Sequence, residues 1–204
     1  MKLTSAYQYV EPAVSVAKFN REIEEFHAYE TEYRKRGWFL IKATYPSVVV
    51  LFGAAKLNPP AIVGAFAFDY TNYDAEPPSV RVVNPFSLEP YLGKNLPKHL
   101  LMLRAMPGQE MPNGDNVLIQ LIQQQALVQS HSPEDVPFVC LPGVREYHQH
   151  PGHTGDAWEI HRPSGAGRLV RLLEVFDKYI TQQVVGYSVN LVPQVGLQVA
   201  PPPQ

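Results

Sequence analysis

Apolar and aromatic residues between Val14 and Arg36 recur in steps of three and four, which places them on one face of a helix. This face comprises Val16, Phe19, Ile23, Phe26 and Tyr33. Acidic residues come early in the segment and basic residues come late, as the helix dipole favours. Gly37 follows as a stop. The pattern predicts one amphipathic helix over residues 14–36.

Four runs rich in β-branched and aromatic residues follow, and Pro, Gly and Asn separate them. They are Trp38 to Tyr45, Ser47 to Ala54, Ala61 to Tyr70 and Ser79 to Val83. Short runs of this composition joined by turn residues are typical of antiparallel strands. We therefore predict a four-stranded antiparallel meander.

The second half of the chain is less regular. Residues 86–116 are interrupted by four prolines, and Val117 to Gln129 is ambiguous between strand and helix, with helix favoured in its first half. Gly165 to Gln183 has apolar residues at helical spacing and predicts a second amphipathic helix. The fold class is α+β, with an arm at 1–13, one domain at 14–183 and a Pro-rich tail at 184–204.

Composition narrows the class of protein. The chain has 204 residues and a formal net charge of −2, which argues against nucleic-acid binding through phosphate neutralisation. A single cysteine excludes an internal disulfide and favours a reducing compartment. No apolar run approaches the roughly 18 residues of a membrane span, and no leader is evident. We expect a cytoplasmic protein without membrane partners, and the sequence does not indicate its oligomeric state.

The reactive side chains are concentrated in residues 140–161, which contain the only cysteine and four of the seven histidines. If 144–150 is extended, Glu146, His148 and His150 project from the same side of the strand. A hairpin turn at Pro142 and Gly143 then brings Cys140 opposite them. This set predicts one divalent metal ion, with zinc favoured and ferrous iron or another ion left open.

Other roles for these residues stay open. Four further side chains are candidates for orienting the imidazoles or for replacing a ligand: His153, Asp156, Glu159 and His161. Cys140 is also a candidate nucleophile, and the two roles compete for one sulfur. In a third interpretation the segment has no functional site: the histidines are solvated, and Cys140 is a small residue of the core.

The order of these features resembles the ubiquitin-conjugating (UBC) fold. The stretch Tyr73 to Pro78 precedes the fourth strand, and Cys140-Leu141 is followed by Trp158 and a helix at 169–180. The resemblance covers roughly residues 14–183 and implies thioester chemistry at Cys140. The His-Pro-Asn motif that precedes the cysteine in that family is absent here.

The ordered set Cys140, Glu146, His148 and His150 also resembles a predicted metal-binding family named for its Cys-Glu-His-His signature. Members of that family are associated with bacterial ubiquitin-like conjugation cassettes. The resemblance implies a metal at these four residues. It also implies two partners, a ubiquitin-like protein and its activating enzyme.

Three hypotheses of function follow. The first is a metal-binding, UBC-like component of a bacterial ubiquitin-like modification pathway, with conjugating activity left open. The second is a non-catalytic binding module with a structural zinc, and the third is a metal-dependent hydrolase. If a metal occupies Cys140, transfer needs a hydroxyl, for which Thr154 and Ser164 are the candidates, or no covalent intermediate.

Overall fold

The computed structural model describes residues 7–106, 110–112, 118–120 and 123–188. Over these ranges the chain is a mixed α+β structure with five α-helices and a four-stranded antiparallel sheet. The prediction of a mixed α+β class is confirmed.

Two consecutive helices, α1 (Pro12–Ala28) and α2 (Glu30–Arg36), form the segment that was predicted as one helix. The interruption is at Tyr29, where φ is −123° and ψ is 17°. Beyond it, the Tyr33 ring stacks on Trp38 with centroids 5.0 Å apart, a tertiary contact that periodicity does not encode. Gly37 ends α2 as predicted, with φ of 89°. A Cβ there would lie 2.0 Å from the Gly53 carbonyl oxygen, so only glycine fits.

The central sheet is the predicted meander, with its strands in chain order. They are β1 (Trp38–Thr44), β2 (Ser47–Ala54), β3 (Ala61–Asp69) and β4 (Ser79–Val83). All three neighbouring pairs are antiparallel, which confirms the prediction. In the register, Val50 lies opposite Phe66 and Val48 opposite Phe68, so these side chains share one face.

The middle segment begins with two short 3-10 helices, Gly93–Asn95 and Lys98–Leu101, and short strands follow in its described part. They are β5 (Leu103–Met106), β6 (Glu110–Pro112), β7 (Leu118–Gln120) and β8 (Gln123–Ala126), and β5 pairs with β8 and β6 with β7. The helix prediction for the first half of 117–129 is therefore wrong where the structure describes it. Its pairing partners lie earlier in the chain, and a short apolar run does not reveal them. Next come β9 (Val128–Gln129) and β10 (Phe138–Val139), which pair with each other.

The C-terminal part contains α3 (Arg145–Gln149), α4 (Trp158–His161) and α5 (Leu169–Ile180). Helix α5 confirms the second predicted amphipathic helix. The extended conformation predicted for 144–150, and the hairpin before it, are wrong because the chain forms α3 there. Residues two apart on a helix point in different directions, so Glu146 and His148 do not share a side, and His150 lies beyond the end of α3.

Local contacts explain the helical turn. Gly143 adopts φ of 96°, and the Arg145 guanidinium is buried after it. Its nitrogens donate to the carbonyl oxygens of Pro77 and Thr71, at 3.2 and 2.5 Å. The Arg145 backbone N–H donates to the Pro78 carbonyl at 2.9 Å. These bonds attach the start of α3 to the connection between β3 and β4.

The core lies between the sheet and the helices α1 and α5. The side chains that form it include Phe19, Phe26, Trp38, Phe52, Phe66, Phe68, Leu172 and Phe176. Phe66 of β3 stacks on Phe176 of α5 with centroids 4.5 Å apart. The burial of many aromatic side chains in one cluster stabilises the contact between helices and sheet.

The first and last residues that the structure describes also contact the domain. In the predicted arm, the backbone N–H groups of Tyr9 and Val10 donate to the Asn72 side-chain oxygen at 2.9 and 3.1 Å. In the predicted tail, the Tyr187 hydroxyl donates to the Asn58 carbonyl at 3.2 Å. The rest of the tail, from residue 189, lies outside the described residues.

Candidate cysteine–histidine site

Cys140 directly follows β10, and its backbone places the sulfur. The Cys140 N–H donates to the Leu127 carbonyl at 2.7 Å, which continues the pairing of β9 and β10 by one residue. The side chain is partly exposed. Its sulfur lies 3.3 Å from Nε2 of His153, within the range of a hydrogen bond that involves sulfur. Burial raises the pKa of the Cys140 thiol, and the charge of Arg104 opposes that shift.

A chain of polar contacts extends from His153. The Tyr147 ring stacks on the His153 ring with centroids 3.9 Å apart. The Tyr147 hydroxyl donates to one carboxylate oxygen of Asp156, and the other oxygen contacts Nε2 of His161. Burial and the bond to Asp156 raise the pKa of Tyr147 to about 12, so this hydroxyl keeps its proton near neutral pH. The hydrogen bonds from Tyr147 and His161 lower the pKa of Asp156.

His148 lies beside this chain with both ring nitrogens engaged. Nε2 accepts the Gly143 backbone N–H at 3.2 Å, and Nδ1 donates to the Asp156 carbonyl at 2.9 Å. Burial lowers the pKa of His148, which favours the neutral ring. This tautomer leaves no free lone pair on His148 for a metal ion.

Glu146 points away from Cys140, to the edge of the sheet. One of its oxygens accepts the Ser79 hydroxyl and pairs with the Arg81 guanidinium at 2.9 Å. The other accepts the Val80 N–H at 3.3 Å. This carboxylate therefore stabilises the contact between α3 and β4.

His150 belongs to an aromatic cluster on the other side of His153. Its ring stacks on His131 and Phe138, with centroids 5.2 and 5.5 Å away, and lies 5.5 Å from His153. Nδ1 of His150 accepts the Gly152 N–H at 3.0 Å. His150 and His131 line an open groove of about 440 Å³ that does not include Cys140.

The remaining candidates have separate positions. Glu159 is exposed. The Thr154 hydroxyl donates to the Pro151 carbonyl and the Ser164 hydroxyl to the His161 carbonyl, at 2.6 and 2.7 Å. Neither hydroxyl has a basic partner among the bonds of the described residues.

The structure thus brings Cys140 together with His153 and does not assemble the four predicted metal ligands. Within the described ranges, no group of three or more His, Cys, Asp or Glu side chains is arranged to hold a metal ion. In this arrangement the predicted set does not fit a tetrahedral zinc ion, because the donors of Glu146 and His148 are engaged elsewhere. Metal binding stays a prediction.

Sequence reasoning missed Arg104 and Tyr147. Tyr147 lies between the predicted ligands Glu146 and His148 in the sequence. In an extended strand its side chain would point to the opposite face from theirs. Arg104 lies on β5, and the pairing of β5 with β8 that brings it near Cys140 leaves no local pattern in the sequence. Only the long-range pairing reveals this position.

The fold and this site define a mixed α+β protein with a cysteine–histidine pair next to a four-stranded sheet. The chain matches the Y4jH-like family over residues 10–184 and belongs to that family. It is 41% identical over 200 residues to the uncharacterized protein y4jH of Sinorhizobium fredii (strain NBRC 101917 / NGR234), with 96% of each chain covered. Within the described residues, none of the helices has the length and apolar character needed to cross a membrane.

Proposed function

We propose that the protein is a conjugating-enzyme-like component of a bacterial ubiquitin-like modification pathway, in which Cys140 carries the modifier as a thioester. One observation carries this proposal. Cys140 is partly exposed, and its sulfur contacts an imidazole at 3.3 Å rather than lying inside a closed set of ligands. A basic partner and an accessible side chain are two of the features that nucleophilic acyl transfer to a thiol uses.

The order of elements supports the same proposal. The helices α1 and α2 and a four-stranded meander come first, Pro77 and Pro78 lead into β4, and Cys140, Trp158 and α5 follow. This order is the one in which the sequence resembles the UBC fold. The Trp158 indole N–H donates to the Asp74 carbonyl at 2.9 Å, so it attaches α4 to the loop before β4.

In this reaction His153 and Tyr147 have different roles beside Cys140. Near neutral pH the thiol is protonated because burial raises the pKa of Cys140, and His153 accepts the proton as the sulfur attacks. The sulfur forms a bond to the thioester carbonyl presented by the activating enzyme. The carbon–sulfur bond to that enzyme then breaks, and the departing thiolate takes the proton. Tyr147 keeps the His153 ring in place by stacking on it.

The test is a charging reaction with the full chain. The protein is incubated with ATP and with a candidate activating enzyme and ubiquitin-like protein, and adducts are separated without reducing agent. We expect one adduct that a thiol reagent removes and that Cys140→Ala abolishes. The control is Ser164→Ala, which leaves the adduct unchanged because that hydroxyl donates to a backbone carbonyl.

Other outcomes select the alternatives. An adduct that survives Cys140→Ala removes Cys140 as the carrier. Binding without any adduct, even in the unsubstituted chain, identifies a non-catalytic binding module. One equivalent of metal that is lost on His148→Ala, together with no adduct, restores the metal-binding hypothesis, and metal-dependent hydrolysis of a peptide-linked modifier selects the hydrolase.

A further inference from the structure

Arg104 is brought to the cysteine by backbone pairing between distant parts of the chain. The Cys140 N–H donates to the Leu127 carbonyl, and the Leu127 N–H donates to the Met102 carbonyl, at 2.7 and 3.1 Å. Arg104 is two residues beyond Met102 on β5 and lies opposite Gln125 of β8. The segment that holds Cys140 therefore neighbours the pair of strands that holds Arg104.

Gln125 orients the guanidinium of Arg104. Its Nε and one terminal nitrogen donate to the Gln125 side-chain oxygen at 3.2 and 2.6 Å. The side chain is partly exposed, so an incoming group has access to it.

The charge of Arg104 acts on the sulfur and on its surroundings. It opposes the upward shift that burial gives to the pKa of Cys140, and it does the same for Tyr147. Arg104 is therefore a permanent positive charge close enough to act on this thiol.

Acyl transfer to a thiol creates negative charge on the carbonyl oxygen when the sulfur adds to the carbon. A positive group or a donor close to that oxygen stabilises the tetrahedral intermediate. We propose that Arg104 stabilises this oxygen during acyl transfer to and from Cys140, with Gln125 orienting its guanidinium. The inference rests on the proposed function, since it requires that Cys140 accept an acyl group.

A small thioester tests this role without any partner protein. The full chain is treated with the benzyl thioester of N-acetylglycine, and transfer of the N-acetylglycyl group to the single cysteine is followed by intact mass. The Cys140 sulfur bonds to the carbonyl carbon, and benzyl thiolate leaves and takes the proton. In parallel, iodoacetamide alkylates the same sulfur at a saturated carbon, a reaction with no carbonyl oxygen to stabilise.

The measured quantity is the ratio of the acylation rate to the alkylation rate at one pH. We expect Arg104→Gln to lower this ratio by about tenfold, because a charge near the oxygen is lost. Arg104→Lys restores much of the ratio because it keeps the charge. The matched control, Arg162→Gln, changes an exposed arginine of the same chain and leaves the ratio unchanged.

Each result has a distinct meaning. An unchanged ratio in Arg104→Gln, with normal acylation of the unsubstituted chain, overturns the role of Arg104 and leaves the proposed function intact. A ratio that falls equally in Arg104→Lys also overturns it, since the effect then lies in shape and not in charge. If the unsubstituted chain is alkylated but never acylated, both the inference and the proposed function fail.

Discussion

Arg145 is a buried guanidinium, 6% exposed, that positions the residues next to it. Its donors reach the carbonyl oxygens of Pro77 and Thr71, and a carboxylate oxygen of Glu76 lies 3.4 Å away. A planar guanidinium matches several acceptors at once, which an ammonium does not. Because Arg145 begins α3, it determines where Glu146 and His148 point.

Substitution of Arg145 tests this role. We expect Arg145→Lys to lower the free energy of unfolding by about 2 kcal/mol, because one ammonium leaves a buried carbonyl unpaired. Chemical denaturation measures the change. The control, Arg162→Lys, alters an exposed arginine and should change stability by no more than about 0.5 kcal/mol. Equal stability of the two variants would contradict a structural role for Arg145.

The sequence predicted which segment holds the reactive residues, but it did not predict which of their side chains contact each other. Cys140, His153, Asp156 and His161 were all found in one segment, since thiol, imidazole and carboxylate groups stand out in composition. Their partners depended on the backbone of 144–150, where a buried arginine overrides the alternating pattern. Side-chain type is a local property, whereas the contacts of a side chain are not.

At the scale of elements, the helix α1 and the central sheet were predictable because their burial follows a simple period. The strands β5 to β8 were not, since each needs a partner from another part of the chain. A charged residue also breaks the pattern of α1. Glu22 is 1% exposed on the face of the helix that packs against the core.

Glu22 joins α1 to the start of α5. One carboxylate oxygen accepts the Leu169 N–H at 3.1 Å, and the other accepts the Tyr73 hydroxyl at 3.1 Å. The first bond satisfies a backbone N–H at the beginning of α5, where no intrahelical acceptor exists. Arg21 pairs with the same carboxylate at 3.1 Å.

Removal of the Glu22 carboxylate should weaken the contact between α1 and α5 and so lower the stability of the fold. We expect Glu22→Ala to lower the free energy of unfolding by about 3 kcal/mol, since two buried donors lose their acceptor. Glu24→Ala is the matched control, because Glu24 is exposed on the same helix. Thermal and chemical denaturation of both variants measure the difference. A loss in Glu24→Ala as large as that in Glu22→Ala would show that helix propensity, not the buried contact, is responsible.

At the scale of the whole molecule, Asp177 links distant parts of the chain. It lies on α5, is 4% exposed, and pairs with Arg36 at the end of α2 at 3.3 Å. Burial alone would raise the pKa of Asp177, but the hydrogen-bond donors around the carboxylate, among them Gln182 and Arg36 at 3.0 and 3.3 Å, outweigh burial and lower it. The folded protein therefore favours the ionised form of this carboxyl more than the unfolded chain does.

The sign of the pH dependence follows from this lowered pKa. The contribution of Asp177 to stability is present above the ordinary aspartate pKa and is lost as the pH falls through the lower pKa of the folded state. We expect Asp177→Asn to be less stable than the natural chain at pH 6 and to lose less stability on acidification to pH 3. Urea unfolding at both pH values measures this difference. Parallel acid profiles for the two proteins would contradict it.

The contact of residues 7–10 with Asn72 has a practical consequence for anyone who shortens the chain. Asn72 is fully buried and adopts φ of 63°, and its side chain accepts from Tyr9 and Val10 and donates to the Tyr7 carbonyl at 2.8 Å. A version beginning at Pro12 would keep the residues of α1 but lose the three hydrogen bonds to the Asn72 side chain. Water would then reach this amide in the turn after β3. A shortened version should therefore keep Tyr7, whose carbonyl accepts from the Asn72 amide.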